Sequence, residues 1–168
     1  IDAIIHGGGQ QFGLRPGTEN VAGAVGLGRA ARLAAEGLVT EAERLGGLRD
    51  RMLEAVRRAI PDLVLHGGGA PRAPHIANLG IPGTDSEALL MHLDLAGIAV
   101  STGSACSTGA VEPSHVLTAM GVPRPLALGS IRISLGHETT WEDLARLIET
   151  FPGVVEKVRK LSVVLGRA

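Results

Sequence analysis

One cysteine, Cys106, stands in the stretch STGSACSTGAVEPSHV (residues 101–116), and every residue within four positions of it is Ser, Thr, Gly or Ala. A packed thiol normally sits among larger apolar side chains. Small neighbours leave this one accessible, and an accessible free thiol is an oxidation liability unless chemistry uses it. At an ordinary pKa near ~8.5 only about 3% of it is thiolate at neutral pH. A working nucleophile therefore needs a nearby cation or a helix N-terminus, such as the helix expected to begin near Pro113. About five loop residues on either side could carry the sulfur on the order of 15 Å, at ~3.3 Å per residue. That suits an arm that collects an atom in one place and delivers it in another, although a small residue fallen by chance in a turn gives the same pattern.

Arg132 is the second candidate. It occupies the polar face of SIRISLG (130–136), whose Ile131, Ile133 and Leu135 share the other face. A guanidinium held on a strand makes a fixed fork for a carboxylate; a surface arginine whose stem covers the sheet fits the pattern equally well. Arg15 and Thr18, in RPGTEN (15–20), combine a guanidinium, a hydroxyl and exposed backbone N–H groups near a helix start. That set can bind an anion, or can be a solvated loop turning at Pro16-Gly17.

Other chemistries lack their parts. HGGG occurs at 6 and 66 and resembles an esterase oxyanion loop, but no serine has glycine two positions away on both sides, as a nucleophile elbow requires. No lysine follows a glycine, so there is no phosphate-binding P-loop. The histidines at 6, 66, 75, 92, 115 and 137 have no metal-ligand spacing with Cys or Glu, so no metal is expected.

Composition narrows the class. With 45% hydrophobic residues in 168, the chain can bury a core. A net charge of −1, no tyrosine and few other aromatics give no case for nucleic acid or an anionic membrane. A lone cysteine rules out an internal disulfide and suits a reducing, cytoplasmic setting. No apolar run approaches the roughly 20 residues of a membrane helix. The chain opens Ile1-Asp2-Ala3, which reads as the middle of a strand in a fragment or processed chain.

The elements that must position these residues follow from periodicity. Residues 1–5 read as a short strand and 6–20 as a glycine-rich loop. Helices are expected over 21–35 and 41–60, the second with Leu45, Leu48, Met52, Val56 and Ile60 inward and Arg49, Asp50, Arg57 and Arg58 outward. Strands are expected at 63–67, 75–81, 98–101 and 130–136. Thr84 with Glu87 predicts a capping box for a helix over 85–96, and Thr139 with Glu142 one for a last helix, broken at Pro152-Gly153 and carrying Leu144, Leu147, Ile148, Val155, Val158 and Leu161 inward. Pro113 suits a short helix to Met120, closed by Gly121. The mixture predicts an α/β fold with helices covering a sheet.

Three stretches, HGGGQQFGLRPGTENVAGAVGLG, STGSACSTGAVEPSHVLTAMG and SIRISLGHETTWEDL, resemble motifs of the cysteine desulfurases, pyridoxal-phosphate enzymes of the class V aminotransferase type. The resemblance implies the small C-terminal α/β domain of an aspartate-aminotransferase-like (fold type I) enzyme at 21–168, with 1–20 a strand and loop from the larger domain. It implies that the enzyme converts L-cysteine to L-alanine while Cys106 takes the sulfur as a persulfide. An acceptor protein, such as an iron–sulfur scaffold or a tRNA-thiolation partner, would then receive it. Arg132 matches the arginine that grips the substrate carboxylate, and Thr18 the threonine that reaches the cofactor phosphate of the other subunit in a homodimer. Gln11-Phe12 stand where many relatives carry Glu-Arg. The family's Schiff-base lysine follows a Ser/Thr-x-His pattern, which neither Lys157 nor Lys160 matches, so the chain alone is expected to be inactive. A selenocysteine lyase or other class V lyase, or a cofactor-free sulfur-relay or scaffold-binding domain, are the alternatives.

Overall fold

The computed structural model describes residues 1–102 and 112–164. The chain divides into two compact units, Ile1–Val39 and Thr40–Ala168.

In the first unit, residues 1–5 form no strand. Strand backbone needs a paired neighbour, and Ile1, Ile4 and Ile5 have none and lie exposed. The loop that follows holds a short 3-10 turn, Gln11–Gly13, where Gln11 and Phe12 both take positive φ (51° and 57°). Helix α1 (Val21–Ala59) then begins. Asn20 caps it, its Oδ1 accepting the Gly23 N–H at 2.9 Å. The two helices expected from sequence are one, because EGLVT (36–40) contains no proline and a single glycine, Gly37. Every residue from 21 to 39 is exposed.

In the second unit α1 acquires a buried stripe of Leu45, Arg49, Met52, Leu53 and Val56. Arg49 is thus not outward as expected. It lies one helical turn after Leu45, and its guanidinium is satisfied by the Ala73 carbonyl at 3.1 Å and by Asp50 at 2.8 Å. Then come β1 (Val64–Leu65), β2 (Ile76–Gly80), α2 (Ser86–Leu95), β3 (Ser101–Thr102), α3 (His115–Ala119), α4 (Arg124–Leu128), β4 (Ser130–Ser134) and α5 (Trp141–Val164). The strands form one antiparallel sheet in the order β1-β2-β4-β3. The strand expected over 98–101 pairs only at Ser101 and Thr102, and α4 is an addition to the sequence reading.

Alternation divides the sheet into two faces. Ala77, Leu79, Ile131 and Ile133 point into a core completed by Met52 and Val56 of α1, Leu89 and Leu93 of α2, and Leu147, Phe151, Val155 and Val158 of α5. The opposite face carries Asn78, Arg132, Ser134 and Ser101 and is partly open.

Both capping expectations shift by one residue. Asp85, not Thr84, caps α2, accepting the N–H groups of Glu87 and Ala88, while the Thr84 hydroxyl donates to the Ile81 carbonyl at 2.7 Å. Thr140 and Asp143 exchange the capping bonds of α5, and the Thr139 hydroxyl accepts the Gly136 N–H instead. α5 passes through Pro152 unbroken, held on both sides by buried Phe151 and Val155. At its far end Ser162 turns inward and Leu161 outward.

Candidate functional site

The open face of the sheet is organised around Arg132. In the β2–β4 pair Asn78 lies directly across from Arg132, and in the β3–β4 pair Ser101 does so from the other side. Directly opposed residues of an antiparallel pair share a face. His66 continues the β1 register opposite Asn78, its N–H donating to the Asn78 carbonyl at 3.0 Å. The result is a polar row across four strands: His66, Asn78, Arg132, Ser101.

Arg132 is exposed, and its hydrogen bond among the described residues is a long one, Nη2 to Ser101 Oγ at 3.4 Å. The other arginines of this unit that carry structure are engaged. Arg44 holds the carbonyls of Gly136, His137 and Thr139, Arg146 that of Ala96, and Arg159 that of Pro82 together with Asp62. Arg132 has no acidic partner among the described residues, so its planar fork is available to an external carboxylate. Its backbone is fixed by ladders on both sides, which places the fork on a rigid element.

One end of the row is closed by packing. His66 is buried, and its Nε2 lies 3.0 Å from Ser130 Oγ, which donates its proton to the Leu126 carbonyl at 2.7 Å. Ser130 therefore accepts, and His66 carries its proton on Nε2. Burial pushes the His66 imidazole below its ordinary pKa, favouring this neutral form. Both side chains pack directly on Gly80, where a Cβ would come within 2.6 Å of the imidazole and 2.8 Å of Leu126.

The remaining site residues expected from sequence fall elsewhere. Thr18 lies in the first unit, exposed, with no side-chain hydrogen bond among the described residues. Arg15, in the same loop, spends its guanidinium on Glu19 and on the carbonyls of Pro16 and Gly17. Cys106 lies outside the described residues; in sequence it follows Thr102, the last residue of β3, by four positions. Asn78, Ser101 and His66 had no assigned role from sequence. What would have found them is the strand register, which places them beside Arg132. Among the described residues there is no cluster of His, Cys, Asp and Glu able to hold a metal ion, and no helix long and apolar enough to cross a membrane.

The family profile of aminotransferase class-V matches residues 7–147, which take in the sheet and Arg132. The chain belongs to that family. Its relatives include the cysteine desulfurase IscS of Dictyoglomus turgidum, 46% identical over 162 residues that cover 96% of this chain and 41% of the relative. Among solved structures, the NifS-like protein of Rickettsia africae superposes with a TM-score of 0.78 at 34% identity, over 93% of this chain and 40% of that one. SspA, solved in complex with cysteine, matches 80% of this chain at a TM-score of 0.50 and 27% identity. The chain thus spans about two fifths of the length of these relatives.

The family depends on pyridoxal phosphate. The residues present fit part of what that group needs. The exposed Thr18 hydroxyl, without a side-chain hydrogen bond among the described residues, has the chemistry a phosphate oxygen needs, and the Arg132 fork has that for a carboxylate. An amine for the aldehyde is not among them. Lys157 and Lys160, the two lysines of the chain, are both on α5, and Lys160 is paired with Glu156 at 2.6 Å.

Proposed function

We propose that this chain is the C-terminal part of a homodimeric, cytoplasmic cysteine desulfurase, in which residues 1–20 belong with the larger domain and 21–168 form the small one. The observation that carries the reading is Arg132: an uncommitted guanidinium at the centre of the open sheet face, in the strand that pairs with the one leading into Cys106. Similarity to cysteine desulfurases over 96% of the chain supports it.

In this reading a lysine outside this chain, with Thr18 from the neighbouring subunit, would hold pyridoxal phosphate, which would supply the electron sink that weakens the substrate's C–S bond. Arg132 binds the carboxylate of L-cysteine through two parallel N–H···O bonds and fixes the orientation of the substrate. The Cys106 thiolate attacks the substrate sulfur. The S–S bond forms as the C–S bond breaks, the bonding pair stays with the substrate carbon, and that carbon is protonated to give L-alanine. Cys106 is left as a persulfide, which an acceptor such as an iron–sulfur scaffold or a tRNA-thiolation protein collects. Without the lysine, the isolated chain does not turn over L-cysteine.

The test is a product assay on the holoenzyme with L-cysteine and with L-selenocysteine. Alanine released from L-cysteine in step with sulfur on Cys106 supports the reading. Release confined to selenocysteine, or release from cysteine with no sulfur retained by the protein, contradicts it.

A further inference from the structure

We propose that Asn78 is a positioning residue for Arg132: its amide oxygen accepts one guanidinium N–H when a carboxylate docks, holding the fork edge-on to the ligand. The proposal rests on the carboxylate role given to Arg132 above.

Asn78 Oδ1 is buried and has no hydrogen-bond partner among the described residues. A buried acceptor without a donor is rare and calls for a reason. The neighbouring donors are accounted for. The His66 N–H goes to the backbone carbonyl of Asn78 itself, and His66 Nε2–H goes to Ser130. The Ser101 hydroxyl donates to the Thr102 carbonyl at 3.2 Å. Arg132 is left. It lies directly across the β2–β4 pair, at a Cβ separation of about 5 Å for such a position, and among the described residues its donors meet only the long contact with Ser101.

The physical consequence is pre-organisation. An exposed arginine loses side-chain freedom when it grips a ligand, and that loss weakens binding. One N–H anchored to Asn78 leaves the guanidinium plane fixed and the opposite edge free for both carboxylate oxygens. Ser101 flanks the fork from the other strand. The ligand class is an α-amino acid carboxylate, and Asn78 acts on it through Arg132 alone.

The experiment follows the Arg132 side-chain Nε–H resonance of the 168-residue chain by NMR, assigned through its loss in Arg132→Lys. The chain is titrated with L-cysteine and with cysteamine, which keeps the thiol and amine but lacks the carboxylate. L-Cysteine is expected to move the resonance and cysteamine not to. Asn78→Ala is expected to weaken the L-cysteine response about fivefold. It should leave the melting temperature unchanged or slightly raised, because a buried acceptor without a donor costs the fold its desolvation. Equal affinity in folded Asn78→Ala overturns the proposal, as does a large fall in melting temperature in both Asn78→Ala and Asn78→Ser, which would make the residue structural. An unresponsive Arg132 in the native chain removes the carboxylate role and the proposal together. A responsive Arg132 in a protein that never carries sulfur on Cys106 removes the desulfurase reading and leaves the Asn78–Arg132 pair standing.

Discussion

Ser101 lies directly across from Arg132 in the β3–β4 pair and accepts its guanidinium at 3.4 Å, and the chain reaches Cys106 five residues after Ser101. The residue that would hold the substrate and the strand that leads to the thiol are thus joined by a backbone ladder. In the holoenzyme proposed above, Arg132→Lys keeps the charge but loses the bidentate fork. It should raise KM for L-cysteine by about tenfold or more while changing kcat less, measured by alanine release. Equal KM values would remove Arg132 from the substrate.

Arg44 ties α1 to the turn between β4 and α5, donating to the carbonyls of Gly136, His137 and Thr139 at 3.2, 2.8 and 2.9 Å. Arg44→Ala should lower the denaturant midpoint, read from urea unfolding. Hydrogen bonds from Arg44 also hold the Glu41 carboxyl down, from 4.5 to about 2, against a smaller opposing push from desolvation and with help from His137. The folded pKa lies below the unfolded one. The stabilisation is therefore full above about pH 4.5 and is lost as pH falls toward 2. Glu41→Gln should flatten that part of the melting-temperature profile and leave its neutral-pH shape unchanged.

Gly129 sits where α4 turns into β4, and a Cβ there would lie 2.6 Å from the Ile81 carbonyl oxygen and 2.9 Å from that of Thr84. Both obstacles are backbone, which cannot rotate away. Gly129→Ala should destabilise the chain by about 2–3 kcal/mol. Gly153→Ala, in open space on α5, should be neutral or slightly stabilising. Parallel urea melts compare the two.

Residues 21–39 are helical with every side chain exposed, and they include Gly23, Gly26, Gly28 and Gly37. Most helix stability in proteins comes from packing, and this stretch has no buried residue to provide it. In the 168-residue chain its amides should exchange about a hundredfold faster than those of Met52–Val56, which are anchored in the core. Hydrogen exchange with mass spectrometry reads this directly; equal protection along α1 would contradict it.

How much of this was legible in the sequence depends on how local each signal was. The alternation of β4 and the stripes of α1 and α5 were readable because burial imprints a period on neighbouring residues. Each cap lies one position from the expected one because Thr84 and Asp85, like Thr139 and Thr140, are adjacent residues that can both cap; at the first, Asp is also the stronger cap by type. Arg49 was read as outward from its charge, although its position relative to Leu45 already placed it on the inward face. The strand expected over 1–5 lacked only a partner, which no local pattern reports. Asn78 carries no role in the sequence for a related reason: its meaning lies in a pairing with Arg132 far along the chain. Arg132 was legible as a candidate, but its freedom from acidic partners became visible only once the others were placed. Cys106 is singled out by its small neighbours and by the motif around it, and lies outside the described residues.

The central claim is that Cys106 receives a sulfur atom from L-cysteine. Peptide mass spectrometry of the holoenzyme, quenched with an alkylating agent after incubation with L-cysteine, tests it most directly. The account predicts that the Cys106 peptide gains the mass of one sulfur atom, that the gain is absent in Arg132→Ala at low substrate, and that Cys106→Ser abolishes sulfur delivery to an acceptor. A Cys106 peptide of unchanged mass during undiminished alanine release would contradict it.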